Sequence, residues 1–420
     1  MGISNPISPV NQPTHLPLIT KRELAIAGGR PVRERPFAPW PHFTTDEIDT
    51  AASVLASGKV NYWTGEEGRL FEKEYAEAVG AKYGIAVANG TVALELALYA
   101  LEIGAGDEVV VTCRSFIASA SCVVMRGAKP VFADVDIESQ NITAETVARV
   151  MTPRTKAIVV VHLAGWPCDM DGLAELAKRH GVHLIEDCAQ SHGAMYKGRA
   201  MGSMGAINAF SFCQDKILTT GGEGGLVTTN DDELWNRAWS FKDHGKSFEA
   251  VYKRAHPPGY RFLHESFGTN WRLTEMQSAL GRVLLRKLPE RVARRRQNAA
   301  ILNETCAEIP SLRVTLPPAE TVHAYYKYFV FVRPESLKEG WSRDRIVESI
   351  GAEGVPCLAG YREMYLEKAF PTEWKPKEPL AVAQELGQTS LMFLVHSTLT
   401  SEDMADTCRA IEKVMEEASQ

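Results

Sequence analysis

Residues 182–187, Val182-His183-Leu184-Ile185-Glu186-Asp187, form a short apolar run that ends in two acids. Such runs are typical of buried strands in parallel sheets. Similar runs occur at 83–88, 108–112, 129–133, 157–161, 206–211 and 225–229, and helical patterns at 45–57, 68–79 and 92–101 alternate with the first of them. The sequence therefore predicts an α/β fold with a mostly parallel sheet covered by helices on both faces.

A second segment, Phe210-Ser211-Phe212-Cys213-Gln214-Asp215-Lys216, leads into a glycine-rich run at 219–225. An acid at the end of a strand and a lysine before a glycine-rich loop are what a pyridoxal-phosphate site needs. A crowded lysine amine that loses its proton can bond to the cofactor aldehyde, and a buried carboxylate can keep the pyridine nitrogen protonated. Lys216 and Asp187 are the candidates. Singly, they also suit a surface lysine and a helix cap, so their conjunction carries the prediction.

Asn89-Gly90-Thr91 follows the strand at 83–88 and opens the next helix. Free backbone N–H groups and a hydroxyl meet there, which favours a bound phosphate, although an ordinary helix cap has the same composition. Phe116 lies after another strand and can either stack on a cofactor ring or pack in the core. Ser211 can supply a further hydroxyl to the phosphate.

The composition excludes several classes of protein. Of 420 residues, 45% are hydrophobic and 23% charged, as in soluble globular proteins. A net charge of −6 gives no general attraction for nucleic acid or anionic membranes. There is no apolar run of about 18 residues and no signal-peptide pattern. The eight cysteines form no Cys-x-x-Cys pair and no metal-ligand spacing with histidine. We expect a cytoplasmic protein with reduced thiols and no metal site.

The length predicts more than one domain. Residues 1–20 are proline-rich and are expected to form a flexible arm. Residues 21–288 are expected to form a large cofactor-binding domain, and 289–420 a smaller α+β domain with a strand at 325–332 and helices at 344–350 and 403–417. A long helical zone at 275–303 crosses that boundary.

Several motifs occur in an order that resembles the DegT/DnrJ/EryC1/StrS aminotransferases, over about residues 35–420. They are Asn-Gly-Thr-Val-Ala-Leu at 89–94, Val-His-Leu-Ala-Gly at 161–165 followed by Asp-Met-Asp at 169–171, Glu-Asp-Cys-Ala-Gln at 186–190, the lysine segment, and Gly-Thr-Asn-Trp-Arg-Leu at 268–273. The resemblance implies the fold of aspartate aminotransferase (fold type I), with a mostly parallel seven-stranded sheet and a smaller C-terminal domain.

The resemblance also implies residue roles. Lys216 would link to the cofactor and shuttle a proton, and Asp187 would pair with the pyridinium nitrogen. The other implied cofactor contacts are Gln190 at the ring hydroxyl, Phe116 on the ring face, and Gly90, Thr91, Val92 and Ser211 at the phosphate. Asn270 would reach the phosphate of a neighbouring subunit, which implies a homodimer with shared active sites.

The chain departs from the family pattern at two places. Gln214-Asp215 precedes the lysine where many relatives have Pro-Thr, so that Asp215 alters the local charge. Tyr325-Tyr326 replaces a frequent Trp-His pair in the C-terminal region, which puts the inferred substrate contacts there in doubt.

The expected reaction is a ping-pong transamination from glutamate to a keto-sugar, with a nucleotide-linked keto-6-deoxyhexose of surface-glycan or secondary-metabolite biosynthesis as acceptor. Lys246, Lys253, Arg254 and Arg261 can either line a cleft for the nucleotide or be solvated loop charges. One alternative acceptor is a free cyclitol ketone of the scyllo-inosose type, because residues 24–33 resemble that branch. The other alternative is a cofactor-binding regulator without turnover.

Overall fold

A computed structural model describes residues 23–420, so the arm predicted at 1–20 lies outside the described residues. The helices are α1 (Thr45–Ser57), α2 (Glu67–Val79), α3 (Gly90–Ala100), α4 (Ala118–Met125), α5 (Ala144–Ala148), α6 (Met170–His180), α7 (Asp232–Lys242), α8 (Phe248–Tyr252), α9 (Glu275–Ala307), α10 (Arg343–Ala352), α11 (Ala381–Thr389) and α12 (Ser401–Ala418). The strands are β1 (Tyr83–Val87), β2 (Glu108–Thr112), β3 (Lys129–Ala133), β4 (Thr155–Val161), β5 (His183–Asp187), β6 (Met195–Tyr196), β7 (Arg199–Ala200), β8 (Ile207–Ser211), β9 (Gly225–Thr229), β10 (Leu312–Arg313), β11 (Thr321–Val322), β12 (Tyr328–Val332), β13 (Cys357–Leu358) and β14 (Ser390–Phe393).

The central sheet has seven strands in the order β1-β9-β8-β5-β4-β2-β3. Only β9 runs antiparallel to its neighbours, β1 and β8, while the remaining pairs are parallel. The predicted mostly parallel α/β sheet is confirmed. Because β5 lies in the middle of the order, its carboxyl end reaches the centre of one sheet edge, where ligands of such sheets bind.

The buried apolar side chains form two clusters, one around the central sheet and one around the sheet β10-β12-β14-β13. Helix α9 contributes to both, since Leu288 and Val292 belong to the first cluster and Ala299 and Leu302 to the second. The boundary predicted at residue 288 therefore falls inside a continuous helix. This helix, and not a loop, joins the two cores.

The strand predicted at 325–332 begins later, at Tyr328. Tyr325 has a φ of 48°, and the backbone N–H of Tyr326 donates to the carbonyl of Ala164 at 2.8 Å. This hydrogen bond holds residues 325 and 326 beside Ala164, so they do not pair with the strands of the smaller sheet. The sequence pattern could not show this bend.

A small sheet formed by β11, β6 and β7 was not predicted, because strands of two residues have no readable periodicity. Among residues 23–420, no helix combines the length and the apolar character needed to cross a bilayer.

Candidate active site

A cavity of about 540 Å³ opens at the carboxyl ends of β5 and β8. It brings together every predicted site residue except Asn270. Its lining consists of Asn89, Gly90, Thr91, Val92, Leu94, Ser115, Phe116, Ala118, Ser119, Asp187, Ala189, Gln190, Ala209, Phe210, Ser211, Cys213, Asp215, Lys216, Glu223, Tyr326 and Tyr361. Phe116 is 62% exposed, so it is a cavity residue and not part of the core.

One end of the cavity is the amino terminus of α3. The Asn89 side chain caps this helix by accepting from the backbone N–H of Val92 at 3.0 Å. Among the described residues, no acceptor contacts the N–H groups of Gly90 and Thr91. The amide predicted at Val92 is therefore occupied by the cap, and the donors open to an anion are those of Gly90 and Thr91.

Close packing explains the glycines around this turn. A Cβ on Gly90 would lie 2.5 Å from the Cβ of Ser211, and one on Gly225 would lie 2.3 Å from the carbonyl oxygen of Asn89. Both distances are shorter than van der Waals contact. Side chains at these positions would push the turn away from β8, so the glycines hold Ser211 beside the start of α3.

Asp187 is the last residue of β5 and lines the cavity. Its two oxygens accept from the Ser119 hydroxyl at 2.8 Å and from the backbone N–H of Ala189 at 3.1 Å. Burial raises the pKa of Asp187, against the opposing effects of the Ser119 and Ala189 hydrogen bonds and the charge of Lys216. A cation placed beside this carboxylate would stabilise its charged form.

Glu186 points to the opposite side of the sheet. Its oxygens accept from the backbone N–H groups of Gly202, Met204 and Gly205 at 2.7 to 2.9 Å, and from His162 Nε2 at 3.1 Å. Burial opposes ionisation of Glu186, but His162 and these amides outweigh it and lower its pKa.

His162, Glu186 and Cys188 place potential metal-ligand atoms within 4.8 Å of one another, a grouping that the sequence spacing did not reveal. His162 Nδ1 accepts from the backbone N–H of Cys168 at 3.1 Å, so its Nε2 carries the proton given to Glu186. Protein donors already occupy the carboxylate and the imidazole. These hydrogen bonds fix the position of β5 on the side of the sheet away from the cavity.

Gln190 is held by two contacts that orient its amide. Its oxygen accepts from the backbone N–H of Ala164 at 2.8 Å, and its nitrogen donates to the Tyr361 hydroxyl at 3.3 Å. Ala164 lies in the Val-His-Leu-Ala-Gly motif and has a φ of 57°. This motif thus positions Gln190, which leaves a second amide N–H to donate toward the cavity.

Lys216 lines the same cavity as the turn at Gly90 and Thr91. Its amine donates to the Tyr326 hydroxyl at 3.5 Å and lies 3.7 Å from Oδ1 of Asp215. Tyr326 in turn donates a short hydrogen bond to Oδ2 of Asp215. The Trp40 indole donates to the carbonyls of Asp215 and Lys216 at 3.3 and 3.2 Å and so fixes the backbone that carries the amine.

Two further basic residues, Arg295 and Lys327, lie near Asp215. Arg295 is fully buried and donates to the carbonyls of Tyr325 and Tyr326 at 3.3 Å, and burial lowers its pKa to about 9. Burial also lowers the pKa of Lys327 to about 8, with the charges of Arg295 and Lys216 acting in the same direction and that of Asp215 opposing them.

Asn270 is exposed and pairs through its backbone with Asp243, outside the cavity of its own chain. The four basic residues considered for a nucleotide cleft also lie outside it. Lys246 and Arg254 are paired with Asp243 and Glu265 at 3.0 and 2.7 Å. The charges of Lys246 and Arg254 are thus compensated within the chain.

Sequence reasoning missed Ser119 and Tyr361, and it treated Tyr326 only as a departure from a pattern. Ser119 lies in the first turn of α4, and its hydroxyl is 3.1 Å from that of Ser115, which precedes the helix. No sequence signal points to either tyrosine, because both arrive from the C-terminal part of the chain.

The cavity is therefore lined by a turn with free backbone N–H groups, by a buried carboxylate and by an amine. This donor and acceptor set fits pyridoxal phosphate, which has a phosphate, a basic ring nitrogen and an aldehyde.

Comparison with known proteins agrees with this arrangement. The profile of the DegT/DnrJ/EryC1/StrS aminotransferase family matches residues 41–412. GDP-perosamine synthase of Caulobacter vibrioides is 36% identical over 360 residues, which cover 84% of this chain and 92% of that protein. L-glutamine:2-deoxy-scyllo-inosose aminotransferase of Streptomyces kanamyceticus is 34% identical over 426 residues, covering 96% and 98%.

Among solved structures, an aminotransferase from Psychrobacter cryohalolentis is 56% identical and superimposes with a TM-score of 0.88, over 90% of this chain and 98% of that one. The seven-stranded α/β fold is thus that of these aminotransferases. The chain belongs to the DegT/DnrJ/EryC1/StrS aminotransferase family, and it is a pyridoxal-phosphate-dependent aminotransferase.

Proposed function

We propose that this enzyme transfers an amino group from glutamate to the ketone of a sugar, with a nucleotide-linked keto-6-deoxyhexose as the acceptor. The observation that carries the proposal is the cavity at the ends of β5 and β8, which gathers the turn at Gly90 and Thr91, the carboxylate of Asp187 and the amine of Lys216. The name of the related GDP-perosamine synthase supports an acceptor of this kind.

We assign the phosphate of the cofactor to the start of α3. The N–H groups of Gly90 and Thr91 and the hydroxyls of Thr91 and Ser211 would hold it. Val92 contributes through the cap that its N–H forms with Asn89, which keeps the turn in shape.

We assign the ring to the residues around Asp187. Its carboxylate would hold the proton on the ring nitrogen, Gln190 would donate to the ring hydroxyl, and Phe116 would cover the ring face. When bound, the cofactor supplies an electron sink for the charge that develops beside the transferred nitrogen. Lys216 would anchor the aldehyde, and its Nζ would carry a proton to and from the substrate carbon.

Part of the remaining cavity wall is polar. Asp215, Glu223, Tyr326 and Tyr361 present carboxylates and hydroxyls there, which are groups that bind the hydroxyls of a sugar or cyclitol. Among the described residues, no arginine lines this cavity, so charges that bind a nucleotide diphosphate must lie beyond it.

We infer that the enzyme is a homodimer in which Asn270 reaches the partner's phosphate site. Asn270 follows a loop whose side chains Tyr260, Phe262 and Phe267 are strongly exposed, the last by 97%. Exposed aromatic groups of this kind are typical of an interface. The basic residues of the same loop, Arg254 and Arg261, would lie near the partner's cavity.

A free cyclitol ketone is the second candidate acceptor. The related inosose aminotransferase aligns over 96% of this chain and the perosamine synthase over 84%, so the former covers more of the chain. Both candidates use the same chemistry. We place the reaction in the cytoplasm, where the eight free cysteines suit a reducing compartment.

A panel of ketones tests the proposal. Purified enzyme is incubated with glutamate or glutamine and with GDP-, dTDP- or UDP-linked 4-keto-6-deoxyhexoses, beside scyllo-inosose, and the amines are identified by mass spectrometry. We expect amination of a nucleotide-linked sugar. Amination of scyllo-inosose alone would favour the second candidate, and cofactor cycling with no aminated ketone would refute both.

A further inference from the structure

We propose that Tyr326 and Asp215 form a proton relay that takes a proton from the amine of Lys216 and delivers it to solvent. The relay runs from Lys216 Nζ through the Tyr326 hydroxyl to Oδ2 of Asp215. It rests on the proposed role of Lys216 as the cofactor lysine, because that role requires a neutral amine.

The hydrogen-bond directions are those that a relay needs. The Tyr326 hydroxyl accepts from Lys216 Nζ at 3.5 Å and donates to Oδ2 of Asp215. It is thus an acceptor toward the amine and a donor toward the carboxylate. Lys216 Nζ is also 4.9 Å from the centre of the Tyr326 ring, so the phenol lies directly against the amine.

The path ends at its most exposed group. The side chain of Lys216 is 15% exposed and Tyr326 is 4% exposed, whereas the side chain of Asp215 is 47% exposed. Tyr326 is buried, whereas the carboxylate of Asp215 reaches water. A proton that leaves the amine by this path arrives at a group that can exchange it with solvent.

The charged groups near Lys216 come from three parts of the chain. They are the cation of Lys327 and the carboxylates of Asp187 at the end of β5 and of Asp215. Burial opposes ionisation of Asp215, but Lys216 and the Tyr326 hydroxyl outweigh it and lower its pKa. The carboxylate is therefore ionised at neutral pH, so a proton that reaches it is held only briefly before it passes to water.

The transfer balances without a charged tyrosine. One N–H bond of the Lys216 ammonium breaks as an O–H bond forms on Tyr326, and the original Tyr326 O–H bond breaks as one forms on Asp215. Asp215 then gives the proton to water. Tyr326 stays neutral throughout, which matters because burial, together with the nearby Tyr361 and Asp215, raises its pKa.

The test compares Tyr326→Phe with Tyr325→Phe as a matched control. The control residue is the preceding tyrosine, whose ring stacks on His323 at 3.8 Å and does not line the cavity. For apoenzyme, we measure how fast added pyridoxal phosphate becomes linked at Lys216, by borohydride trapping and mass spectrometry. We also measure how fast trinitrobenzenesulfonate labels Lys216 without cofactor.

Loss of the relay should slow both reactions of Tyr326→Phe by about 100-fold. Tyr325→Phe should match wild type, and imidazole buffer should restore part of the rate by replacing the missing hydroxyl. Asp215→Asn should show the same defect, because its amide cannot take up the proton. Wild-type rates in a folded Tyr326→Phe enzyme would overturn the relay. Absence of any linkage at Lys216 in wild type would instead refute the proposed function, and the labelling rates would still decide the relay.

Discussion

The two sides of the central sheet at the end of β5 carry consecutive acids with opposite surroundings. Alternation along the strand sends Glu186 to one side and Asp187 to the other. Glu186 accepts from three backbone N–H groups and His162, whereas Asp187 accepts from one hydroxyl and one backbone N–H. The pKa of Glu186 is lowered and that of Asp187 is raised.

This contrast distinguishes a structural acid from one that is available to a ligand. A carboxylate has about four lone-pair sites. The protein fills those of Glu186 but leaves part of Asp187 open toward the cavity. The burial of Asp187 costs stability until a cation, such as a protonated ring nitrogen, lies beside it.

Asp187→Asn should give the largest effect. The amide cannot hold a proton on the ring nitrogen, so we expect turnover to fall by about 1000-fold. The apoenzyme should melt no earlier than wild type, because the replaced carboxylate is destabilised by burial. Steady-state kinetics and thermal melting check the two parts, and near-normal turnover would contradict the role of Asp187.

Glu186→Gln should have the reverse signature. In either orientation its –NH2 group faces protein donors, which should lower the free energy of unfolding by about 3 kcal/mol. The urea midpoint measures this loss. Turnover per folded molecule should fall far less than in Asp187→Asn, and equal losses in the two variants would erase the distinction between the acids.

The effect of Glu186→Gln on stability should depend on pH. Since the folded-state pKa of Glu186 is lowered, its stabilisation is present above the unfolded pKa and is lost as pH falls through the folded value. The difference between wild type and variant should be full at pH 7 and should shrink below about pH 4. A difference that grows on acidification would contradict the assignment.

Ser119→Ala should give the smallest effect. It removes one donor to Asp187 and should cost about 1 kcal/mol, seen as a roughly fivefold loss of turnover. Ser121→Ala on the same helix is the control, because the Ser121 side chain does not line the cavity. A loss in Ser119→Ala as large as in Asp187→Asn would mean that the hydroxyl itself contacts the reacting groups.

Helices and strands could be predicted from the sequence wherever buried apolar residues recur with a helical or strand spacing. The strands predicted at 108–112, 129–133 and 225–229 and the helix at 45–57 match the observed bounds. Asp187 and Lys216 were identifiable because each follows a readable strand. Each of these patterns can be read from consecutive residues, because burial repeats at regular intervals along a strand or a helix.

The parts that escaped prediction are those assembled from distant segments. Tyr326 meets Lys216 across 110 positions of the chain, through a bend that no periodicity marks. The grouping of His162 with Glu186 and Cys188 likewise arises from neighbouring strand ends. The sequence could not show that the backbone N–H of Val92 donates to the Asn89 side chain, because this depends on the geometry of the helix cap.

The continuity of α9 limits how this protein can be recombined. A chimera joined at residue 288 would divide α9 between two proteins, so that one half of the helix would pack against a core from another relative. The join would also change the position of Arg295, which donates to the carbonyls of Tyr325 and Tyr326. Exchange of acceptor specificity between relatives should therefore transfer whole helices together with the surfaces that they pack against, because α9 contributes to both apolar clusters.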